Sequence, residues 1–407
     1  MKFVKKAARK ILGLLMNAYL VVPILLALLL KAVRKKKDYH PETNFLARRF
    51  ASLFSRFTGC YCMIEMLPKK AQDVRACTLH TDTKDKEYAV VIQGPVLDGF
   101  TAESIRVYRK ILPKAYIIVS TWKGTDDKLA EELRGLADEV ILNELPKTNG
   151  LLNINYQAKS SYEGMKRACE LEIPYAFKMR SDLRVYTPLL FEYMKSLLEA
   201  FPIDASVSHL QKERIIASPS ITPTRRAYWL QDFFYFGTTQ DLLNFFDFPP
   251  DTRHYNCTSS ELHMYRNSFK KWDGLISIPP EVWLTKSYIQ RFSSGECKST
   301  IKNFWEDIQK RFLMVNTSEL GMYWNKYNYY VNLWDVSRFF GEKHGEMRYT
   351  SQLTIPLIMK HICYDSKLEE ANKYIELFQN LGTFCNGYEY LDAVMKDIPF
   401  LRGEETL

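Results

Sequence analysis

The chain has 407 residues, of which 46% are hydrophobic and 25% are charged, values typical of a folded protein and unlike those of an extensively disordered one. Its formal net charge of +9 comes from the amino-terminal region, because ten of its 56 lysine and arginine residues precede the first acidic residue. The remaining 46 basic residues are balanced by 47 acidic ones. Nucleic-acid binding therefore loses its main support.

An uncharged apolar segment, residues 11–30, separates two basic clusters near the amino terminus. As a helix rising about 1.5 Å per residue, it would match the roughly 30 Å hydrocarbon core of a bilayer. A cleaved signal peptide is disfavoured because the apolar run is too long and basic residues follow it. We predict that residues 1–37 form a membrane anchor. Each flank carries five basic residues, so a straight crossing and a re-entrant hairpin kinked at Pro23 stay equal alternatives.

The next segment, residues 38–86, is predicted to contain an amphipathic helix and a linker. Within it, residues 45–57 place leucine and phenylalanine side chains on one helical face and arginines away from the centre of that face. Such a helix could lie in the headgroup layer of a membrane, or it could pack against its own domain.

Four strand-like segments then alternate with helical patterns. They are rich in apolar residues and cover positions 88–96, 115–122, 139–142 and 175–184. This alternation indicates βαβ crossovers and a largely parallel sheet. We therefore predict an α/β domain with a Rossmann-like fold over residues 87–297. Residues 298–407 are predicted to be mostly helical, including 301–312, 323–330 and 351–381.

Cysteine and histidine supply no recognisable framework. The eight cysteines include no paired Cys-x-x-Cys motif, and the seven histidines show no His-x-x-x-His spacing. The sequence therefore favours a reducing compartment and predicts no structural metal.

Five short blocks follow one another along the middle of the chain. They are residues 90–95 (VVIQGP), 120–124 (STWKG), 155–157 (NYQ), 178–182 (KMRSD) and 232–237 (DFFYFG). In this order they resemble the WavE family of lipopolysaccharide-synthesis proteins, and the resemblance extends from residue 87 to about residue 291. In the third block Tyr156 stands where the family has arginine, so that charge would have to come from elsewhere, for instance from Lys159.

The resemblance implies a glycosyltransferase with the GT-A type of nucleotide-diphospho-sugar transferase fold. Its donor would be a nucleotide sugar, and its acceptor a lipopolysaccharide or another lipid-linked or surface polysaccharide. Such a protein would be held at the inner membrane of a bacterial cell by its anchor, with the catalytic domain in the cytoplasm.

The resemblance places the donor nucleotide at the ends of the first two strands. The turn at Gln93, Gly94 and Pro95 would let the backbone approach a ligand, and Gln93 could pair with a base edge. Thr121 and Trp122 end the next strand at the same edge of the sheet and could contact the base or ribose. For Trp122, a purely structural role in the hydrophobic core fits the sequence equally well.

For the donor diphosphate, Asp182 is the candidate ligand of a bridging Mg²⁺ or Mn²⁺ ion, with Arg180 or Arg184 adding positive charge. Sites of the GT-A type usually carry an Asp-x-Asp motif, but here Arg180 stands two residues before Asp182. A metal-independent site led by arginines therefore stays open. The alternative to diphosphate binding is a structural salt bridge at the end of the strand.

An inverting transferase also needs a carboxylate that deprotonates the acceptor hydroxyl. Asp232, at the polar start of an aromatic strand, is favoured for acceptor binding or as this base, and Glu261 at a predicted helix start is its competitor. Asn155 and Gln157 open the predicted helix 158–169 and are further candidates for donor contacts, with helix capping as the alternative for Asn155.

Two other functions remain open. A nucleotidyltransferase on a related sheet would be expected to carry a glycine-rich phosphate loop with lysine or arginine after its first strand, which residues 93–100 match poorly. The other alternative is a catalytically inactive, membrane-tethered protein that binds carbohydrate or acts as a scaffold in polysaccharide assembly. The missing second aspartate supports it.

Overall fold

The structure of the protein is a computed structural model, and the residues it describes are 51–52, 56, 67–76, 87–150, 153–218, 228, 230–251, 280–291, 301–315, 317, 319–325 and 329–330. The chain divides into two compact units, Met1–Val74 and Arg75–Leu407. In the first unit a short 3-10 helix covers Ala71–Asp73. The predicted anchor, and all of the predicted amphipathic helix except residues 51, 52 and 56, lie outside the described residues. No helix in the described ranges is long and apolar enough to cross a membrane.

Four parallel strands form one half of a seven-stranded sheet in the second unit. In the order β3-β2-β1-β4 they are Glu139–Asn143, Ala115–Trp122, Tyr88–Gln93 and Tyr175–Arg180. All six residues of β1 are buried, as expected of a central parallel strand that is covered on both faces. The prediction of a largely parallel α/β sheet is confirmed for this half. Because these strands are parallel, their carboxyl ends share one edge of the sheet.

Three helices occur within this half: α1 (Phe100–Ile111), α2 (Asp127–Arg134) and α3 (Ile154–Glu170). Helix α3 lies very close to the sheet at Gly164, where an added Cβ would stand 2.3 Å from Val91 Cγ1. A residue without a side chain is therefore needed for α3 to approach β1 this closely.

Three further strands complete the sheet in the order β4-β7-β6-β8. They are β6 (Ile215–Ala217), β7 (Phe234–Thr238) and β8 (Phe312–Met314). Strand β7 runs antiparallel to β4. The residues that precede β7 therefore lie at the same edge as the residues that follow β4.

The other α-helices within the described residues are α4 (Leu190–Ala200), α5 (Thr239–Phe246), α6 (Pro280–Arg291) and α7 (Ile301–Arg311). Buried side chains of α3, α5, α6 and α7 pack with those of β6 and β8 in one hydrophobic cluster. Helix α7 matches the helix predicted over 301–312 to within one residue. The helical segment predicted over 351–381 lies outside the described residues.

A second, small sheet consists of the antiparallel strands β5 (Leu183–Arg184), β9 (Tyr323–Trp324) and β10 (Tyr329–Tyr330). The prediction of a helix over 323–330 is therefore wrong. Strands β8 and β9 lie beyond the predicted boundary at residue 297, yet they pair with β6 and β5. Strands of two or three residues are too short to leave a periodic pattern in the sequence.

Candidate functional site

An arginine held between two aspartates lies at the carboxyl edge of the parallel strands. Arg180, the last residue of β4, donates from Nε and Nη2 to the two carboxylate oxygens of Asp182 at 2.8 and 2.9 Å. Its Nη1 donates to Asp232 Oδ2 at 2.8 Å. Asp232 stands just before β7, so the antiparallel pairing of β4 with β7 brings the two aspartates together, as predicted from the polar start of that strand. We call Arg180, Asp182 and Asp232 the arginine–aspartate cluster.

The arginine–aspartate cluster is largely shielded from water. The side chains of Asp232, Asp182 and Arg180 are 5%, 15% and 23% exposed. Burial would lower the pKa of Arg180, but the charges of Asp232 and Asp182 and their hydrogen bonds outweigh it and raise the pKa. The guanidinium is therefore always charged, and its contacts have the short distances of charge-assisted hydrogen bonds.

Trp324, for which no sequence motif indicates a role, completes the surroundings of Asp182. Its Nε1 donates to Asp182 Oδ2 at 3.0 Å, and the backbone N–H of Asn325 donates to the carbonyl oxygen of Asp182 at 3.0 Å. The guanidinium of Arg180 lies 5.7 Å from the Trp324 ring and 5.5 Å from the Phe233 ring. One arginine is thus held by two carboxylates and bordered by two aromatic rings, an arrangement that favours a guanidinium.

Lys178 is a second cation next to the arginine–aspartate cluster. It is fully buried in the middle of β4, and its Nζ donates to the carbonyl oxygen of Asp232. The same ammonium lies 5.7 Å from the ring of Tyr235 and 5.8 Å from that of Phe246. Burial lowers the pKa of Lys178 to about 8. The sequence could have identified Lys178, because a lysine within an apolar strand is expected to be buried and then needs a polar partner.

The predicted donor turn lies beside the cluster and is joined to it through Ser181. The Ser181 backbone N–H donates to the carbonyl oxygen of Gln93 at 2.9 Å, and its Oγ donates to that of Pro95 at 2.6 Å. Gly94 has φ +108°, a conformation that favours glycine. The Gln93 side chain is buried and its Oε1 accepts from Ser160 Oγ at 2.9 Å. The structure therefore brings the turn of β1 and the end of β4 together.

Thr121 and Trp122 end β2 at the same edge. Both are buried, and Asn143, the last residue of β3, donates from its side chain to the Thr121 carbonyl oxygen at 2.8 Å. The Trp122 ring packs on that of Tyr156, with centroids 5.4 Å apart. Tyr156 thus pairs with an aromatic neighbour at the position where the resemblance implies arginine.

Asn155 lies within the first turn of α3, which begins at Ile154, four residues before the predicted start. Its side chain is buried, accepts from the Asp251 backbone N–H at 2.8 Å and donates to the Asp251 carbonyl oxygen at 2.8 Å. Asn155 therefore fastens the segment after α5 to α3, and it does not cap the helix. Gln157 Nε2 is buried and has no hydrogen-bond partner among the described residues.

Arg184 has a different place from Arg180. It is 2% exposed, and it donates to Ser104 Oγ at 2.9 Å and to the Phe100 carbonyl oxygen at 3.0 Å. Its guanidinium also lies 4.4 Å from the Phe100 ring. In this position it ties β5 to the start of α1, and a phosphate could reach it only after it left these partners. Glu261, the competing base candidate, lies outside the described residues.

The expected Mg²⁺ or Mn²⁺ ion can be tested against the donor groups at this site. Both oxygens of Asp182 accept from Arg180, and Asp232 accepts from the same guanidinium. In the described part of the chain, no three His, Cys, Asp or Glu side chains are grouped so that they could hold a metal ion. A divalent cation needs several oxygens directed at it, so the described residues do not fit one while Arg180 keeps its position.

The family model described as WavE lipopolysaccharide synthesis matches residues 88–332. No curated protein matches the chain. Among solved structures, a protein named as a glucose-1-phosphate thymidylyltransferase from Bacillus anthracis, in complex with sucrose, aligns with 10% identity and a TM-score of 0.26 over 44% of this chain and 82% of its own. The match of the family model covers more than half of the chain, and the predicted family is thereby confirmed: the chain belongs to the WavE lipopolysaccharide synthesis family.

Proposed function

We propose that the protein is a membrane-anchored glycosyltransferase that moves a sugar from a nucleotide-sugar donor to a lipopolysaccharide or another surface-polysaccharide acceptor. The family supports a role in lipopolysaccharide synthesis. The observation that supports glycosyl transfer is the position of the arginine–aspartate cluster beside the turn at the end of β1. Ligands of open α/β sheets bind outside the carboxyl ends of the parallel strands, which is where the cluster lies.

Each part of this edge has a role in the proposed reaction. The turn at Gln93, Gly94 and Pro95 borders the nucleotide. Arg180 donates hydrogen bonds to the diphosphate, whose negative charge grows as the sugar leaves. Asp232, fixed by Arg180 and by the Lys178 contact to its carbonyl oxygen, faces the acceptor and takes the proton of its hydroxyl group.

The experiment is binding of a panel of nucleotide sugars to the full-length chain, followed by thermal unfolding. We expect one donor to stabilise the wild-type protein by about 3 kcal/mol at roughly a hundredfold excess over its dissociation constant. Asp182→Asn should lose this effect. Asp138→Asn is the matched control, because Asp138 is also paired with an arginine, Arg109, at 2.8 Å, but stands before β3 at the opposite edge of the sheet.

The second candidate function is a binding or scaffold protein without catalysis. The observation that favours it is the mutual pairing of the arginine–aspartate cluster, which a purely structural role would also require. Such a protein would show no response to any nucleotide sugar and would bind an oligosaccharide instead. The same unfolding assay with lipopolysaccharide fragments distinguishes the two functions.

A further inference from the structure

We propose that Arg180 takes the place of a divalent cation at this site, so that its guanidinium, and no bound metal, supplies the positive charge between Asp182 and Asp232. This inference rests on the proposed function for its consequence in catalysis. The position of the cation itself can be tested without any substrate.

The geometry of the cluster is that of two acidic ligands converging on one cation. Asp182 and Asp232 come from opposite directions, one after β4 and one before β7, and both meet the same guanidinium. Three hydrogen bonds of 2.8, 2.9 and 2.8 Å hold it there. The pair formed with Asp182 is bidentate, which a planar guanidinium can make and a lysine ammonium cannot.

A metal ion and Arg180 would compete for the same oxygens. Asp182 Oδ2 accepts from Arg180 and from Trp324, and Asp182 Oδ1 accepts from Arg180. An ion that entered would have to displace the guanidinium from both carboxylates. The displaced arginine would then stand beside a doubly charged ion in a site that is mostly closed to water, where like charges repel strongly.

Arg180 retains the means to act on a substrate. A guanidinium has five N–H donors, and within the described residues three of them are used by the two aspartates. One donor on each terminal nitrogen is left for an anionic oxygen. Lys178 adds a second positive charge behind Asp232, so two cations face two carboxylates and the cluster does not carry the excess negative charge that would repel a diphosphate.

The experiment measures Mn²⁺ binding to the full-length chain by electron paramagnetic resonance in the absence of any nucleotide. Wild-type protein should bind no Mn²⁺ at this site. Arg180→Ala should gain one Mn²⁺ per chain, because the two carboxylates are then left facing each other, and the double variant with Asp182→Asn should lose it. Arg109→Lys, which alters an arginine paired with Asp138 at the other edge, is the control that should resemble wild type.

Stoichiometric binding of Mn²⁺ by the wild-type protein that disappears in Asp182→Asn would overturn the inference. So would a folded Arg180→Ala variant that gains no Mn²⁺. If Arg180→Ala does not fold, Arg180→Gln decides, because it removes the positive charge and keeps most of the side chain. One bound Mn²⁺ per chain is expected in this variant, and a folded variant that binds none would overturn the inference.

Donor binding by the wild-type protein gives a separate readout. With the donor found in the panel, the dissociation constant should be unchanged by EDTA, and a loss of affinity on chelation would contradict the inference. If no donor binds, the proposed function fails, but the Mn²⁺ measurement still decides whether Arg180 occupies the cation position.

Discussion

Trp324 donates its indole N–H to Asp182 at 3.0 Å across 142 residues of sequence. The contact is possible because β9 pairs with β5, the two-residue strand that directly follows Asp182. The carboxy-terminal part of the described chain thus supports the carboxylate that the sequence singles out. We expect the site to depend on this segment.

The first prediction concerns that hydrogen bond. Trp324→Phe keeps an aromatic ring beside Arg180 and removes the N–H donor. We expect a loss of about 1 kcal/mol in the free energy of unfolding, because Asp182 Oδ2 loses the hydrogen bond that the indole N–H donates to it. Donor binding should weaken in parallel. Urea denaturation measures the first effect, and an unchanged donor affinity in Trp324→Phe would show that β9 has no part in the site.

The second prediction concerns the charge balance of the cluster. Asp182→Asn removes one of the two carboxylates that hold Arg180 in a site largely shielded from water, and we expect it to cost about 2 to 4 kcal/mol of stability. Asp138→Asn, which breaks a pair whose arginine is 34% exposed, should cost less. Equal losses of stability in the two variants would show that burial does not strengthen the ion pairs of the arginine–aspartate cluster.

The third prediction is a pH dependence that originates at Lys178. Burial lowers its pKa from 10.5 in the unfolded chain to about 8 in the folded one. Between these values the unfolded chain binds more protons, so stability should rise as the pH increases from about 8 to 10.5. Below pH 8 the buried charge imposes a constant penalty.

Lys178→Met should remove this dependence. At pH 7 the variant should be more stable than the wild type by up to about 3 kcal/mol, less the hydrogen bond lost to Asp232, and the difference should shrink towards pH 10.5. Denaturation at several pH values, taken as the difference between the two proteins, measures it. A difference that stays constant from pH 7 to pH 10 would exclude Lys178 as the source.

The fourth prediction concerns the packing of α3 on the sheet. Gly164→Ala places a methyl group 2.3 Å from Val91 Cγ1 and should cost about 1 to 3 kcal/mol. Val91→Ala should recover part of that loss in the double variant. Gly135→Ala is the control, because its Cβ would be no closer than 3.5 Å to a neighbouring atom and its stability should change little. A neutral Gly164→Ala would show that α3 does not approach β1 as described.

The sequence was most informative where local pattern decides the structure. Strands β1 and β2 are continuous apolar runs, and a buried parallel strand requires such a run, so their positions were predicted closely. Arg180 and Asp182 could be chosen because they lie at the end of β4, a strand that is mostly apolar. Asp232 could be assigned to the same site because a polar residue at the start of an aromatic strand is expected at the edge of the sheet, where the site opens.

Other features depended on contacts that no local pattern encodes. Trp324 lies on a strand of two residues, and its partner is far away in the sequence. Arg184 follows Asp182 by two residues just as Arg180 precedes it, but it turns towards α1 and packs on Phe100. Tertiary packing decides which of the two flanking arginines pairs with Asp182. Composition and spacing in the sequence do not reveal this choice.

The most direct measurement is release of nucleoside diphosphate from the panel of nucleotide sugars by the full-length chain, with lipopolysaccharide or lipid extract as acceptor and EDTA present throughout. We predict that one donor is consumed only when acceptor is present, that Asp232→Asn and Asp182→Asn abolish the reaction, and that Asp138→Asn retains it. Consumption of no donor by folded wild-type protein, or equal rates in Asp232→Asn and wild type, would contradict a transferase site at the arginine–aspartate cluster.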